Sequence, residues 1–299
     1  MGAQTGLLLC AQVIIPSLLP FFVAAALLSR LGFATLLGAL TARPMARLFG
    51  VSGAGAAAFV LGISGGYPLG AATVADLFRQ KRIGKEEAER LLAFCDNSGP
   101  AFIVGAAGVG VFHSAATGLA LYAVHILAAA AVGFFLSFPR MGPTSIGPRT
   151  GHRIEFHAAS LPDAFAESVR SSATSLLSIC GFVVFFSALM PVLDALQLFG
   201  TLAGALSLRT GLELRWTRAL LQGFWELGNG IGGLAGLTAS PLNLALASGI
   251  LGWGGLSVHC QALGVLGGTG LSARRHELGK ALHAVLSAAL AYLAAVLLL

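Results

Sequence analysis

The stretch GISGGYPLG at residues 62–70 lies in the middle of an apolar segment that covers residues 51–77. Its Gly-Gly-Tyr-Pro centre cannot continue an α-helix, because proline lacks the N–H that the helix needs. At membrane depth, irregular backbone persists only where protein or a water-filled cavity surrounds it. The stretch therefore predicts a re-entrant hairpin in a membrane protein.

Three further polar, Gly-rich breaks interrupt apolar segments. GFWELGNGIG at residues 223–232 predicts a second hairpin over residues 219–237. CDNSGPA at residues 95–101 and GGLSVHCQ at residues 254–261 each predict two half-helices joined by an unwound turn.

The composition indicates that the bilayer is the solvent of this chain. Of its 299 residues, 56% are hydrophobic and 10% charged, with a mean hydropathy of +0.85, whereas a soluble domain carries about 25% charged residues. The net charge of +6 comes from short basic clusters without interleaved aromatic residues, which favours lipid head groups over nucleic acid as partners. The four cysteines are far apart and favour neither a metal nor a redox site.

Four uninterrupted apolar stretches, residues 6–29, 115–138, 171–190 and 281–299, are long enough to span the membrane. No basic region precedes the first stretch, so it is interpreted as a retained helix rather than a signal peptide. Residues 31–49 and 193–209 are shorter, end in arginine and suit helices that lie in the interface plane.

The same series of elements occurs twice along the chain. Each half contains a plain helix, an in-plane helix, a re-entrant hairpin, a broken helix and a plain helix. With three crossings per half, the second copy must be inverted in the membrane. The sequence thus predicts an all-α polytopic membrane protein with repeats at residues 1–138 and 164–299, joined by a cytoplasmic polar linker at residues 139–163.

Charge supports one orientation of this topology. With both termini outside the cell, 15 of the 18 basic residues, Lys280 among them, fall on the cytoplasmic side, as the positive-inside rule requires. Only Arg209, Arg215 and Arg218 remain outside.

Within the predicted membrane segments, Asp96 and Glu226 are the ionisable residues expected to act in function, since buried charge is costly. Both lie in breaks, where capping of half-helix N-termini is the alternative role. Asp96, Asn97 and Ser98 are candidates for a coupling ion, either Na⁺ or H⁺. His259 could relay a proton, or be a core residue; His276, in the basic segment, is expected to be solvated.

SGGYPLGA, KRIGKEEAERL, CDNSGPAFIVGA, GFWELGNG and GGLSVHCQ together resemble the YlbJ-type integral membrane proteins of sporulating bacteria, in the nucleoside-recognition Gate group. The chain is more remotely similar to the concentrative nucleoside transporters. Their first tip carries Gln-Thr-Glu to hold the base, where this chain has Gly-Gly-Tyr. The resemblance implies a solute site at the two tips and two broken helices, formed by Ser64, Gly65, Gly66, Tyr67, Asn97, Ser98, Glu226, Asn229, Ser257, His259 and Gln261.

The expected function is transport of a small organic anion by alternating access. The resemblance implies dipicolinate as the solute and sporulation as the setting. The expected location is the bacterial cell membrane, with the forespore membrane as the alternative. The alternatives are a transporter of nucleosides or other small solutes, and a non-transporting component that assembles partners during sporulation. No nucleophile with a base, metal-ligand cluster or phosphate loop occurs in the sequence, so an enzyme is not expected. No cofactor is expected; a homo-oligomer is left open.

Overall fold

The computed structural model describes residues 2–31, 33–137 and 161–298, and within these ranges the chain is helical with no β-strand. In the first half the elements are α1 (Gly2–Leu9), a π-helical turn π1 (Cys10–Ile14), α2 (Ile15–Arg30), α3 (Phe33–Phe49), α4 (Ala54–Gly65), α5 (Leu69–Arg79), α6 (Lys85–Cys95), a π-helix π2 (Ala101–Val111) and α7 (Ala115–Ser137). In the second half they are α8 (Leu161–Ala195), α9 (Leu198–Thr210), α10 (Leu214–Trp225), α11 (Leu227–Gly232), α12 (Pro241–Trp253), α13 (Gly255–Leu266) and α14 (Arg274–Leu298).

Four helical segments of the described chain are long and apolar enough to cross a membrane: Ala115–Ser137, Leu161–Ala195, Pro241–Leu266 and Arg274–Leu297. A fifth candidate is the pair Arg43–Phe49 and Ala54–Gly65, which is bent by 78°. Large apolar side chains on these helices point outward, including Leu127, Leu177 and Val285, as expected of surfaces that face lipid. The predicted all-α polytopic membrane fold is confirmed.

The stretch predicted as the first plain span, residues 6–29, is not one regular helix. The π-helical turn at Cys10–Ile14 separates α1 from α2. Pro16 is the second residue after this turn and has no N–H to donate to it, a common cause of local irregularity in helices. The two pieces still pack along α8, where an added Cβ on Gly6 would lie 2.8 Å from the Val184 Cα, the close approach that small residues permit between membrane helices.

The predicted linker lies mostly outside the described residues. Its last three residues, 161–163, form the first turn of α8, which begins ten residues before the predicted span at residue 171. The helix α8 is thus 35 residues long, roughly 52 Å at 1.5 Å per residue, and exceeds the thickness of the hydrocarbon core. The boundaries of the two repeats and the inversion of the second copy stay predictions.

All four predicted interruptions are observed as helix ends. The first hairpin consists of α4 and α5 joined at Gly66–Pro68, and the second of α10 and the short α11 joined at Glu226. The first broken helix is α6 followed by π2, and the second is α12 followed by α13 with a left-handed Gly254 between them. The second hairpin lies five residues earlier than predicted, because α10 begins at Leu214 rather than at residue 219 and α11 ends at Gly232 rather than at residue 237.

Candidate functional site

The tip of the first hairpin lies directly against the first broken helix. A Cβ added to Gly66 would lie 2.9 Å from the Gly99 nitrogen, and a Cβ added to Gly99 would lie 3.0 Å from the Gly66 Cα. Two backbones can approach this closely only when neither residue carries a side chain. The glycines of both motifs therefore join the first tip to the first break.

The tip of the second hairpin meets the second broken helix in the same way. A Cβ added to Gly255 would lie 2.9 Å from the Leu227 nitrogen and 3.1 Å from the Glu226 Cα. Gly255 also has a positive φ of 83°, a conformation that favours glycine. Backbone contact thus brings each tip to the break in its own half.

Tyr67 connects the two halves. Its hydroxyl donates a hydrogen bond to the Leu251 carbonyl near the end of α12, at 3.1 Å. The same hydroxyl lies 3.2 Å from where a Cβ on Gly254 would be. The first tip therefore contacts both breaks, and the four irregular segments meet in one region of the protein.

Glu226 caps the helix that follows it. Its carboxylate accepts hydrogen bonds from the backbone N–H groups of Gly228 and Asn229, at 2.9 and 2.8 Å, and from the Asn229 side chain at 2.7 Å. These bonds span at most three residues and satisfy N–H groups that a helix start leaves open. Glu226 thus has the alternative role that the sequence left open, that of a helix N-cap. Asn229 takes part in the same cap through its backbone N–H and its side chain.

Asp96 bonds across the fold instead. It is 1% exposed, and its Oδ1 accepts the N–H of Ala71 in the first turn of α5, at 3.3 Å. Its Oδ2 lies 3.1 Å from Nε2 of His276 on α14. Asp96 therefore joins the first break to the first hairpin and to the last helix.

Lys280 is a buried basic residue, 1% exposed, although the sequence-based boundaries left it outside the last span, which was predicted to begin at residue 281. Its Nζ donates to the Asp96 carbonyl at 3.0 Å and lies 3.2 Å from the His283 Nδ1. It also lies 4.7 Å above the centroid of the Tyr67 ring, within the range of a cation–π contact.

His276 is 1% exposed, so the expectation that it is solvated is wrong. The sequence did carry a signal for these buried groups, which is the polar series at steps of four, three and four residues in the apolar α14: His276, Lys280, His283 and Ser287. Such spacing puts polar side chains on one helix face. The predicted span began at residue 281 and cut this series in two.

His125 and His283 complete the buried polar region. Their rings lie 4.3 Å apart, and the His283 Nε2 is 2.9 Å from the His125 carbonyl oxygen. The His125 Nε2 accepts the Ser98 N–H at 3.1 Å. Its Nδ1 is buried and has no hydrogen-bond partner in the described part of the chain.

His259 lies on the side of the second break. Its ring is 4.3 Å from the Trp253 ring and 5.2 Å from the His276 ring, and its Nε2 is 3.2 Å from the Trp253 carbonyl oxygen. Trp253 in turn stacks on Phe224, next to the second tip. His259 thus touches both the second break and the buried histidine of α14.

The other residues of the predicted site take different positions. Asn97 is fully buried, its Nδ2 donates to the Phe94 carbonyl at 2.8 Å, and its Oδ1 has no hydrogen-bond partner among the described residues. Ser64 is exposed and donates to the Val60 carbonyl in its own helix. The remaining buried members are Ser98, Ser257 and Gln261. Gly65 is partly exposed and packs against Leu69.

A cavity of about 470 Å³ lies beside the first hairpin rather than at the meeting of the tips. It lies between α2, α5, α8 and α13, and its polar lining includes Thr73, Asp76, Arg79, Glu167, Arg170, Ser171, Ser172, Thr174 and Ser178. None of the residues of the predicted solute site lines it. The described residues contain no group of three or more His, Cys, Asp or Glu side chains that could hold a metal ion.

The apolar helices, the interrupted segments and the buried polar centre define a polytopic α-helical membrane protein with an internal polar site. The chain is 32% identical to the sporulation integral membrane protein YlbJ of Bacillus subtilis (strain 168), over 309 aligned positions that cover 96% of this chain and 75% of that protein. The chain belongs to the YlbJ family of integral membrane proteins. No family model and no solved structure matches it.

Proposed function

We propose that this protein transports a small organic anion across a membrane during sporulation, by alternating access. The observation that carries the proposal is the meeting of two hairpin tips and two helix breaks around buried polar side chains. Interrupted helices at the centre of a membrane protein are the usual place for a solute site in secondary transporters. The name of the Bacillus subtilis relative supports the link to sporulation.

Unsatisfied polar groups at the first break support a polar solute. The Asn97 Oδ1 and the His125 Nδ1 are both buried and lack partners among the described residues. A buried polar atom without a partner costs about 1–3 kcal/mol. A bound solute or water that satisfies these atoms would recover this cost.

The anionic groups of the solute fit the second break best. The N-termini of α5 and α11 already hold the carboxylates of Asp96 and Glu226. The N-terminus of α13 begins at Gly255 beside Tyr67 and the buried Ser257, and helix N-termini attract negative charge. A flat dianion such as dipicolinate, which the family resemblance implies, suits N–H groups and hydroxyls of this kind.

The cavity beside the first hairpin is large enough for a small solute. Its volume of about 470 Å³ is within the range of roughly 300–1,000 Å³ found for small-molecule sites. Because α5 forms one wall, a shift of the first hairpin changes both the cavity and the contact between Gly66 and Gly99. We infer that this hairpin moves during transport.

Uptake by purified protein in liposomes tests the proposal. Labelled dipicolinate should enter vesicles loaded with unlabelled dipicolinate, by counterflow. Unlabelled nucleosides should compete only weakly with the labelled dipicolinate. Ser257→Ala should greatly reduce uptake, whereas Ser248→Ala, a buried serine on the neighbouring α12, should not.

Thermal unfolding in detergent provides the control for these variants. Normal unfolding with lost uptake assigns Ser257 to the site. Uptake at the wild-type level in Ser257→Ala would remove it from the site. If the wild-type protein catalyses no counterflow of dipicolinate or other small anions, the transport proposal is wrong, and a role in assembling partners takes its place.

A further inference from the structure

Five ionisable side chains form a connected group at the centre of the protein, which we call the buried charge cluster: Asp96, His125, His276, Lys280 and His283. Each is at most 2% exposed. They come from the first break, from α7 and from α14, so they are distant in sequence and are brought together only by the fold. Ionisable groups at this depth are costly and usually serve function.

The hydrogen bonds of Lys280 and His283 determine how many protons these two residues hold together. The His283 Nε2 faces a carbonyl oxygen, that of His125, and must therefore carry a hydrogen. In neutral His283 the Nδ1 is then an acceptor, and it faces the Lys280 Nζ at 3.2 Å. Lys280 and His283 thus share one positive charge, because two cations would place hydrogens against each other.

The Asp96 and His276 pair is the second part of the cluster. The His276 Nε2 lies 3.1 Å from a carboxylate oxygen of Asp96. A proton taken up by neutral His276 forms an N–H bond at its other ring nitrogen, and the resulting imidazolium is paired with the Asp96 carboxylate. This pair can therefore gain and lose one proton without rearrangement of its hydrogen bond.

The chemistry of the cluster suits a proton better than the solute or sodium. The Lys280 ammonium already contacts the Asp96 carbonyl, His283 and the face of the Tyr67 ring, so none of these three directions is open for a carboxylate of the solute. Hard metal cations such as Na⁺ take oxygen ligands, whereas most of the polar side-chain atoms of the cluster are nitrogens. The positive charge shared by Lys280 and His283 would also repel a metal cation.

We propose that the buried charge cluster is the proton-coupling site of the transporter, and that H⁺ rather than Na⁺ drives solute movement. The pair of Asp96 and His276 binds one proton from one side of the membrane and releases it to the other. This inference rests on the proposed transport function and names its coupling ion.

Three further ionisable groups lie next to the cluster and bear on this proton. Tyr67 of the first tip lies under Lys280, His259 of α13 lies 5.2 Å from the His276 ring, and Cys95 of α6 precedes Asp96 in the chain. The Tyr67 hydroxyl and the His259 Nε2 are each bonded to a backbone carbonyl. The proton site proper is therefore the pair of Asp96 and His276, with Lys280 setting the local charge.

Two contacts connect the cluster to the first hairpin. The Asp96 carboxylate accepts the N–H of Ala71 at the start of α5, and Lys280 lies above the ring of Tyr67 at the tip. When His276 becomes charged, it draws the negative charge of the shared carboxylate towards Oδ2 and weakens the bond from Ala71 to Oδ1. Proton binding can thus change how firmly the hairpin is held, which is what coupling requires.

Imposed gradients test this inference in proteoliposomes at zero membrane potential, clamped with potassium and valinomycin. With one proton per solute, a difference of one pH unit should support about a tenfold accumulation of labelled dipicolinate, because one pH unit corresponds to a factor of ten in proton activity. An equal sodium gradient at constant pH should give no accumulation.

His276→Gln is the informative variant, because the amide can still donate to Asp96 but cannot take up a proton. It should retain dipicolinate counterflow and lose accumulation driven by the pH gradient. The control is His113→Asn, an exposed histidine outside the cluster with a positive φ of 53° that asparagine tolerates; it should behave as the wild type. A pH indicator should also record proton uptake when dipicolinate binds the detergent-solubilised wild type, and none in His276→Gln.

Three results would overturn the inference. Accumulation driven by sodium in the wild type contradicts proton coupling while leaving transport intact. Full response to the pH gradient in a folded His276→Gln contradicts the assignment of the proton site to the pair of Asp96 and His276. Absent counterflow in the wild type contradicts the proposed function itself, and proton coupling fails with it. Since the comparison of gradients uses wild-type protein, the result holds even if the variant does not fold.

Discussion

Asp96 lies in the first broken helix and Glu226 at the tip of the second hairpin, and their carboxylates bond in opposite ways. The Asp96 carboxylate contacts Ala71, 25 residues away, and His276, 180 residues away. Within the described residues, the hydrogen bonds of the Glu226 carboxylate reach no further than Gly228 and Asn229. A carboxylate in a polar break is therefore a long-range connection in one half and a local cap in the other. The comparison teaches that a polar break predicts the position of a carboxylate along the chain but not its partner.

Replacement of Asp96 should have the largest effect on stability. Asp96→Ala removes the partner of both His276 and the first turn of α5, and loss of one member of a buried pair costs about 3–5 kcal/mol. Denaturation in mixed micelles should record this loss as a lower free energy of unfolding. The control Asp194→Ala removes an exposed carboxylate paired with Arg218 and should change little; equal losses in the two variants would contradict the distinction.

Glycine replacement should separate a tightly packed glycine of the first hairpin from an open glycine of the second half. A Cβ on Gly70 would lie 1.9 Å from the Cys95 carbonyl oxygen, so Gly70→Ala should destabilise by about 1–3 kcal/mol or more, as overpacking does. Gly204 in α9 has no atom within 4 Å of an added Cβ. Gly204→Ala should stabilise by up to about 1 kcal/mol, since alanine is the better helix former. Melting temperatures in detergent that shift in the same direction would contradict this contrast.

Glu226→Ala should cost about 1 kcal/mol, the usual cost of a lost N-cap. Glu213 provides the matched control, because it stands at the N-cap of α10 and its side chain makes no capping bond. Glu213→Ala should leave the unfolding free energy unchanged. A loss in Glu226→Ala as large as that in Asp96→Ala would mean that Glu226 has a long-range role after all.

The smallest effect is expected for Arg215, which donates to the Gly233 and Ala235 carbonyls within the second hairpin. These bonds are exposed, so Arg215→Ala should cost less than about 1 kcal/mol. Arg79 instead joins the first hairpin to the end of α13 through the Val265 carbonyl. Arg79→Ala should destabilise more than Arg215→Ala when both are unfolded side by side; the reverse order would contradict the comparison.

The positions of the helix interruptions could be predicted because they depend on local chemistry. A proline or glycine within a polar stretch favours the end of a helix, and Pro68, Gly99 and Gly254 are found at or next to helix ends. Isolated prolines do not end their helices, as is seen at Pro20, Pro44 and Pro191. The π-helical turn at Cys10–Ile14 was not predicted, since one proline in an apolar run also occurs within continuous helices.

The candidate site was predicted only in part. Asn97, Ser98, Ser257, His259 and Gln261 are buried as expected of residues in breaks, whereas Ser64 is exposed. Lys280 and His276 were placed outside the last span because basic residues next to a span normally mark its end. The polar series on α14 indicates a polar helix face, but it does not identify the partner of that face. Asp96 is 184 positions from Lys280 and 180 from His276, and no local pattern indicates that contact.

The sequence by itself determined that this is a membrane protein, where its helices end, and which segments are polar at depth, because hydropathy and backbone chemistry act over a few residues. Only the tertiary structure decided that the first tip touches both breaks, that Asp96 faces α14 while Glu226 faces its own helix, and that Lys280 is internal. Burial of a charge requires partners that offset its desolvation. Those partners come from distant elements, so the fold alone brings them into reach.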